Sequence, residues 1–386
     1  MRRSFVAIAC AALLSVTALP AAAAGKTDPR QTAMDVAVAA GIPGMVAVAD
    51  DFRGVSGVAS IERPGKPDAS GRWRVGSVSK VFVATLVLQL AGEKHVGLDE
   101  PVQRYLPGLL PYPEPITVRQ LLQHTSGLPR DLLPEDSWAT VTGPEVDTER
   151  FEHFDSDDQI RLSTKQPLQF KPGTSWAYSN TGYNVLGLLV EKTTRKPLER
   201  VLAERITGPL HLRDTSLPRD FPFLIGPAAR GYEQLYDAPR GLTDVTTYNY
   251  SRYFGAGGVV SSGADLNRFF EALLGGRLLP ADLLAQMKKT VPADGMEYGL
   301  GLMKLNLKSA GICAEDITIW GHGGDLPGFN TLSFRDDAGK NISTLATVDL
   351  TASPDAKLKR QLPMISEFCS PVIPVNAAAQ APVPSL

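Results

Sequence analysis

The 386 residues are 43% hydrophobic and 21% charged, with a formal net charge of −2. That composition is globular, and the length suits one large domain or two interlocked ones. No basic stripe runs along the chain, which argues against nucleic acid and points to a small molecule or a peptide, such as a cell-wall fragment, as the partner.

The first elements read as an export signal over residues 1–24. Arg2 and Arg3 give a positive start, Phe5 to Leu19 is an apolar run, and Ala22-Ala23-Ala24 supplies small residues before Gly25. The run is too short and wrongly flanked for a stable membrane anchor. Cleavage near Ala24 would leave a secreted or periplasmic chain, and losing two arginines takes the net charge from −2 to −4. Arg2-Arg3-Ser4-Phe5 leaves both the general and the twin-arginine route open. Cys313 and Cys369 remain after cleavage, and an oxidising compartment favours a disulfide over two buried thiols.

Gly44 to Ala59 predicts a strand pair, and Trp73-Arg74-Val75 a short strand before a helix from Ser77 to about Gly92. That helix keeps an apolar face of Val81, Ala84, Leu86, Val87, Leu90 and Ala91. Thr117 caps a short helix that ends before Gly127. Residues 130–165 are acidic and loop-like. Further helices fit Gly182 to Glu191, Pro197 to Arg205, Ala264 to Leu274 (capped by Ser262) and Ala281 to Lys288. Strands follow at Ile317 to Gly321, Phe329 to Arg335 and Ile342 to Leu350, then a helix from Pro354 to Phe368 kinked by Pro363. The layout is an α+β fold. Its α/β body comes in two parts, residues 30–110 and 255–372, around a mainly helical insertion at 111–254. The Pro/Ala-rich residues 373–386 lack core material and read as a disordered tail.

Three motifs carry chemistry. Gly76-Ser77-Val78-Ser79-Lys80 holds the sequence's one Ser-x-x-Lys, at a predicted helix start, where a three-residue spacing sets the lysine amine beside the serine hydroxyl. Helix-terminal N–H groups favour developing negative charge, and a buried lysine can lose its proton and serve as a base. An ordinary capped helix with a surface lysine is the plain alternative. Trp176-Ala177-Tyr178-Ser179-Asn180 is the one Tyr-x-Asn. A phenol beside an ammonium group ionises more easily and can shuttle a proton, while Asn180 can hold a substrate amide or Lys80. Capping by Ser179 or Asn180 is the alternative there. Trp320-Gly321-His322-Gly323-Gly324 falls on a predicted strand. Gly323 and Gly324 would let a substrate backbone lie along it, and His322 would complete the proton network. The N–H groups of Ser77 and Asp325 would form an oxyanion hole. His95-Val96-Gly97 also fits His-x-Gly, but it lies at a helix end and reads as a turn.

Taken together and in this order, the motifs resemble the serine penicillin-recognising hydrolases: class C β-lactamases, D-alanyl-D-alanine carboxypeptidases and their esterase and D-peptidase relatives. The likeness runs from about Gly44 to Cys369. It includes Leu121-Leu122-Gln123-His124-Thr125-Ser126-Gly127-Leu128 and Tyr298-Gly299-Leu300-Gly301-Leu302. It is strongest to secreted actinomycete D-alanyl-D-alanine carboxypeptidases, which share the Leu106-Pro107-Gly108-Leu109-Leu110 turn and a cysteine pair like Cys313 and Cys369. The resemblance implies a β-lactamase/transpeptidase-like fold and an acyl-enzyme on Ser77. It makes Lys80 and Tyr178 the acid/base pair and Asn180 and His322 positioning groups, in a monomer that needs no metal or cofactor. The five histidines include no His-Glu-x-x-His.

Substrate class is where the pattern departs. Carboxypeptidases of this group hold the departing carboxylate with hydroxyls and an arginine where this chain has Gly323, Asp325 and Met303. An Asp325 carboxylate facing the site would repel that substrate, with Arg252 expected to compensate from the opposite wall. An esterase or a D-stereospecific aminopeptidase or amidase would use the same apparatus. Two rivals stand further off. One is an α/β-hydrolase built on Gly173-Thr174-Ser175-Trp176-Ala177, which needs a strand before Ser175. The other is a non-catalytic β-lactam sensor or scaffold.

Overall fold

In a computed structural model of the chain, residues 27–131, 145–236 and 240–369 are described. The export signal and the tail at 373–386 lie outside them. Helix α1 (Pro29–Ala39) starts at Asp28, whose carboxylate accepts the Arg30 N–H at 2.8 Å, with proline in the first turn. It buries Ala33, Met34 and Ala37. Strands β1 (Gly44–Ala49) and β2 (Arg53–Gly57) form the expected pair, and β3 (Arg72–Arg74) leads through a turn of 3-10 helix, Gly76–Val78, into α2 (Ser79–Gly92). Helix α2 is buried on nearly every side rather than along one stripe, because helices and sheet enclose it.

Helix α3 (Val118–Leu122) has a full capping box, Thr117 with Gln120. Helices α4 (Glu145–Glu149) and α5 (Ser156–Ser163) occupy the acidic stretch read as loop. Asp155 caps the second of these, and Ile160 and Gln159 are buried. Helix α6 (Asn180–Thr194) is followed by α7 (Leu198–Leu202), which runs on into a π turn to Thr207. Strands β4 (Tyr232–Glu233) and β5 (Thr243–Asp244) pair with each other. Helix α8 (Phe254–Gly257), strand β6 (Val260–Ser262) and helix α9 (Gly263–Leu274) follow, with Ser262 capping α9 as expected. Strand β6 pairs with β3, apart from the main sheet.

After α10 (Ala281–Met287) come three strands the periodicity did not reveal: β7 (Val291–Ala293), β8 (Met296–Tyr298) and β9 (Met303–Asn306). Each has at most four residues, too few to display alternation. Strands β10 (Thr318–Leu326), β11 (Phe329–Asp336) and β12 (Asn341–Ala346) precede α11 (Pro354–Lys359) and α12 (Leu362–Phe368), the two halves of the helix expected to bend at Pro363.

The main sheet among the described residues is antiparallel, in the order β2-β1-β12-β11-β10-β9-β8-β7. Strands early and late in the chain thus build one sheet. One face meets α1, α11 and α12 through Met34, Met45, Ile319, Phe334, Ile365 and Phe368. The other joins α2, α9 and the inserted helices in a continuous core, where Phe82 and Phe269 stack at 3.8 Å. Arg30 ties the terminal helices, bonding Glu367 at 2.7 Å. Cys313 and Cys369 form a disulfide. No helix among the described residues is long and apolar enough to cross a membrane.

Candidate active site

Ser77 sits in the turn between β3 and α2, half-exposed at the helix mouth. The turn is pinned from behind: the Val75 N–H donates to Val259 O at 3.1 Å, and the Val259 N–H to Ser79 Oγ at 2.9 Å. Gly76 holds φ +55°, the left-handed region open to glycine. One helical turn on, Lys80 is wholly buried, with Nζ 3.0 Å from Ser77 Oγ. It also lies 2.7 Å from Asn180 Oδ1 and 2.7 Å from Ala256 O. Burial holds its pKa well below the usual lysine range; the Asp131 charge opposes that fall only in part. The surroundings fit a neutral amine. Two pure acceptors use its two N–H bonds, leaving the lone pair for the Ser77 O–H.

Tyr178 arrives on the segment before α6. Its ring centroid is 4.7 Å from Lys80 Nζ, and its buried hydroxyl has no hydrogen-bond partner among the described residues. Ionisation goes the opposite way from the sequence expectation. Burial pushes the phenol well above its usual range, and the nearby Ser77 hydroxyl and Arg130 oppose this only in part. Desolvation outweighs the neighbouring charge, so this tyrosine is a neutral O–H donor at rest. Capping and function divide between neighbours: Ser179 caps α6, accepting the Gly182 N–H at 3.0 Å. Asn180 is therefore free to face Lys80 with its oxygen, while its Nδ2 donates to Asp131 Oδ2 at 2.6 Å.

Strand β10 closes the other side. Side chains alternate across the sheet, so His322 and Gly324 face Ser77 while Gly323 and Asp325 face α11 and α12. A Cβ on Gly324 would lie 2.0 Å from Val75 O and 3.0 Å from Ser77 N; one on Gly76 would lie 3.0 Å from Asp325 N. The strand and the serine turn are therefore in backbone contact, with the N–H groups of residues 77 and 325 close together. Pairing with β9 ends at Gly321, so the strand beyond it has one edge without a β9 partner.

Three expectations change here. Asp325 does not point at the cleft: its carboxylate accepts from Asn330 Nδ2 at 2.6 Å and lies 3.5 Å from Arg360. Arg252 is 4% exposed and paired with Asp131 at 3.3 Å, placing its charge behind Asn180 rather than on the opposite wall. His322 is also set back. Nδ1 meets Gly323 O at 2.5 Å and Nε2 meets the Tyr298 hydroxyl at 2.9 Å, so both ring nitrogens are engaged away from Ser77. Burial pushes its pKa down to about 3 and keeps it neutral. Ser175 lies in a loop with no strand before it, which removes the structural basis for an α/β-hydrolase elbow.

Three groups at the site had no role in the sequence reading. Arg130 is exposed, its guanidinium 5.3 Å from the Tyr178 ring centroid. Asp131 joins Asn180 to Arg252. His124 is buried with its ring centroid 4.2 Å from that of Tyr178. All three fall in or just after the Leu121–Leu128 stretch that carried the family likeness. Among the described residues, no group of three or more His, Cys, Asp or Glu could hold a metal ion.

The family model described as Beta-lactamase matches residues 26–362. Among curated relatives, a putative penicillin-binding protein, PbpX, of Bacillus subtilis is 27% identical over 273 residues, covering 70% of this chain and 60% of that protein. Esterase EstB of Burkholderia gladioli is 36% identical over 170 residues, 42% of this chain and 43% of its own. The matched region thus spans under two thirds of these relatives' lengths. Among solved structures, a D-stereospecific amidohydrolase from Streptomyces sp. is 35% identical with a TM-score of 0.78, covering 88% of this chain and 98% of that one. D-amino acid amidase from Ochrobactrum anthropi SV3 is 27% identical with a TM-score of 0.73, covering 88% and 96%. With a family match over most of its length and a serine–lysine–tyrosine cluster at the mouth of a buried helix, the chain belongs to the β-lactamase family of serine hydrolases.

Proposed function

We propose that Ser77 is the acyl-accepting nucleophile of an amidohydrolase acting on peptides or amides of D-amino acids. The observation that carries this is the 3.0 Å approach of Ser77 Oγ to a fully buried amine whose other partners are both acceptors. Ser77 attacks the acyl carbonyl as its proton passes to the Lys80 lone pair. The carbonyl oxygen becomes an oxyanion between the N–H groups of residues 77 and 325. Tyr178 gives its O–H proton to the departing amine and is recharged from the Lys80 ammonium, so the pair is restored with one proton moved from serine to leaving group. Water then cleaves the ester on Ser77. Substrate lies along β10 beyond Gly321. The D-configured acyl donor is taken from the two structural relatives whose names specify it, both covered almost end to end. The disulfide suits an oxidising compartment, which supports export.

D-alanyl-D-alanine carboxypeptidase activity is the second reading, and Arg130 favours it. With Arg252 engaged by Asp131, Arg130 is an exposed cation 5.3 Å from the Tyr178 ring centroid, within reach of a substrate carboxylate beside the acid that serves the leaving group. The test is a parallel assay on a D-amino-acid amide, an acyl-D-Ala-D-Ala tripeptide, a short-chain ester and nitrocefin, for wild type and Arg130→Ala. Fastest turnover of the amide, unchanged in Arg130→Ala, supports the amidohydrolase. Preference for the tripeptide, with a KM raised in the variant, selects the carboxypeptidase. Acylation without turnover on all four would make the protein a sensor.

A further inference from the structure

His124 is a buried titratable group that the reaction as drawn does not use. It adopts φ +62°, a left-handed conformation that costs a residue with a Cβ unless its surroundings impose it. What the conformation achieves is visible in its contacts. The His124 carbonyl accepts the Ala177 N–H at 3.0 Å, and Nδ1 accepts the Ser179 N–H at 3.1 Å. The residue thus grips the backbone on both sides of Tyr178. Between those two bonds the imidazole lies against the phenol at 4.2 Å, its far side packed by Tyr183 and Tyr298 at 5.2 and 4.8 Å.

An Nδ1 that accepts places the ring proton on Nε2, which is buried and has no hydrogen-bond partner among the described residues. Burial above all keeps the ring neutral, and any positive charge on neighbouring Lys80, His322 or Arg130 would oppose its protonation further. A protonated ring would lose its acceptor and release Ser179. The neighbouring residues do not substitute for this clamp. Ser179 spends its hydroxyl on Pro129 O and on capping α6, and among the described residues only the nearby Ser77 hydroxyl, itself a reacting group, interacts with the Tyr178 hydroxyl.

We infer that His124 is a positioning residue that holds the Tyr178 hydroxyl over Ser77 and Lys80 through paired bonds to residues 177 and 179. The inference rests on the proposed role of Tyr178, so the experiment separates the two. His124→Phe keeps a ring and removes the acceptor. His124→Asn places an oxygen where Nδ1 was and tolerates a positive φ. His124→Gly, also at ease in that conformation, removes both ring and acceptor and serves if the Phe variant does not fold. Single-turnover release of p-nitroaniline from a D-amino-acid p-nitroanilide, whose nitrogen must be protonated to leave, is measured for each, alone and combined with Tyr178→Phe. A misplacement of about 1 Å costs on the order of 10²-fold, so His124→Phe is expected to slow acylation about 10- to 100-fold with KM unchanged. His124→Asn should return to within about fivefold of wild type. In the Tyr178→Phe background the same His124 change should cost less than about threefold, because what it positions is gone. Losses that multiply in the double variant, or an Asn variant no better than Phe, overturn the inference. A Tyr178→Phe enzyme as fast as wild type overturns the functional reading beneath it.

Discussion

Replacing Gly324 by alanine puts the geometry of the oxyanion site under a direct load. The added Cβ would stand 2.0 Å from Val75 O and 3.0 Å from Ser77 N. Ordinary contacts between such atoms begin well beyond 3 Å, so strand and turn must separate by roughly 1 Å. Donors to an oxyanion work at about 2.7–3.1 Å, and losing one costs about 10²–10³ in rate, or ~3–4 kcal/mol. Overpacking itself costs about 1–3 kcal/mol of stability, tolerable for most folds of this size. Gly323→Ala is the matched comparison. Its Cβ faces the opposite side of the sheet and meets Leu332 Cδ2 at 3.6 Å and Thr331 O at 3.9 Å, both ordinary contacts. Stopped-flow acylation by a p-nitrophenyl ester, with thermal unfolding in parallel, should show a loss of about 10²-fold or more for Gly324→Ala. For Gly323→Ala the loss should stay under about tenfold. Equal rates for the two variants, with both folded, would refute the placement of the Asp325 N–H at the reacting oxygen.

Lys80→Arg replaces a base that burial deprotonates with a guanidinium that stays charged, and should lower acylation about 10²–10⁴-fold in the same stopped-flow assay. The buried histidines make the fold acid-sensitive. His124 and His322 both have depressed folded pKa values, the latter about 3, so the unfolded chain binds more protons below pH ~6.5. Stability is then fully present above that pH. It should fall by about 1.4 kcal/mol per histidine for each pH unit below it, continuing for His322 to about pH 3. Urea titrations from pH 7 to 4.5 measure the slope, and His322→Gln should reduce it by about one histidine's share. Reducing the disulfide, whose cysteines are 56 residues apart, should cost about 4 kcal/mol in the same titration.

Much of the site was legible because its spacing is local. A Ser-x-x-Lys at a helix start must place its two side chains on one face, and the 3.0 Å separation of Ser77 Oγ and Lys80 Nζ follows from three residues of helical geometry. The long elements were legible for a related reason: α6, α9, β10 and β11 are long enough to show a period or a cap. Short β7, β8 and β9 are not, and helix α1 went unread although Asp28-Pro29 is a start signal.

What the sequence determined by itself is the chemical inventory and its local order: a hydroxyl and an amine one turn apart, a phenol two residues before an amide, and glycines on a strand. Tertiary structure alone decided protonation and direction. Burial of Lys80 among two carbonyl-type acceptors, and of Tyr178 against His124, sets which group is base and which is acid. The side of β10 on which Asp325 lies, and the partner that engages Arg252, settle which charges reach the cleft. Desolvation and pairing depend on neighbours far away in the chain, such as Asp131 for Arg252 and Arg360 for Asp325, and a one-dimensional pattern has no access to them.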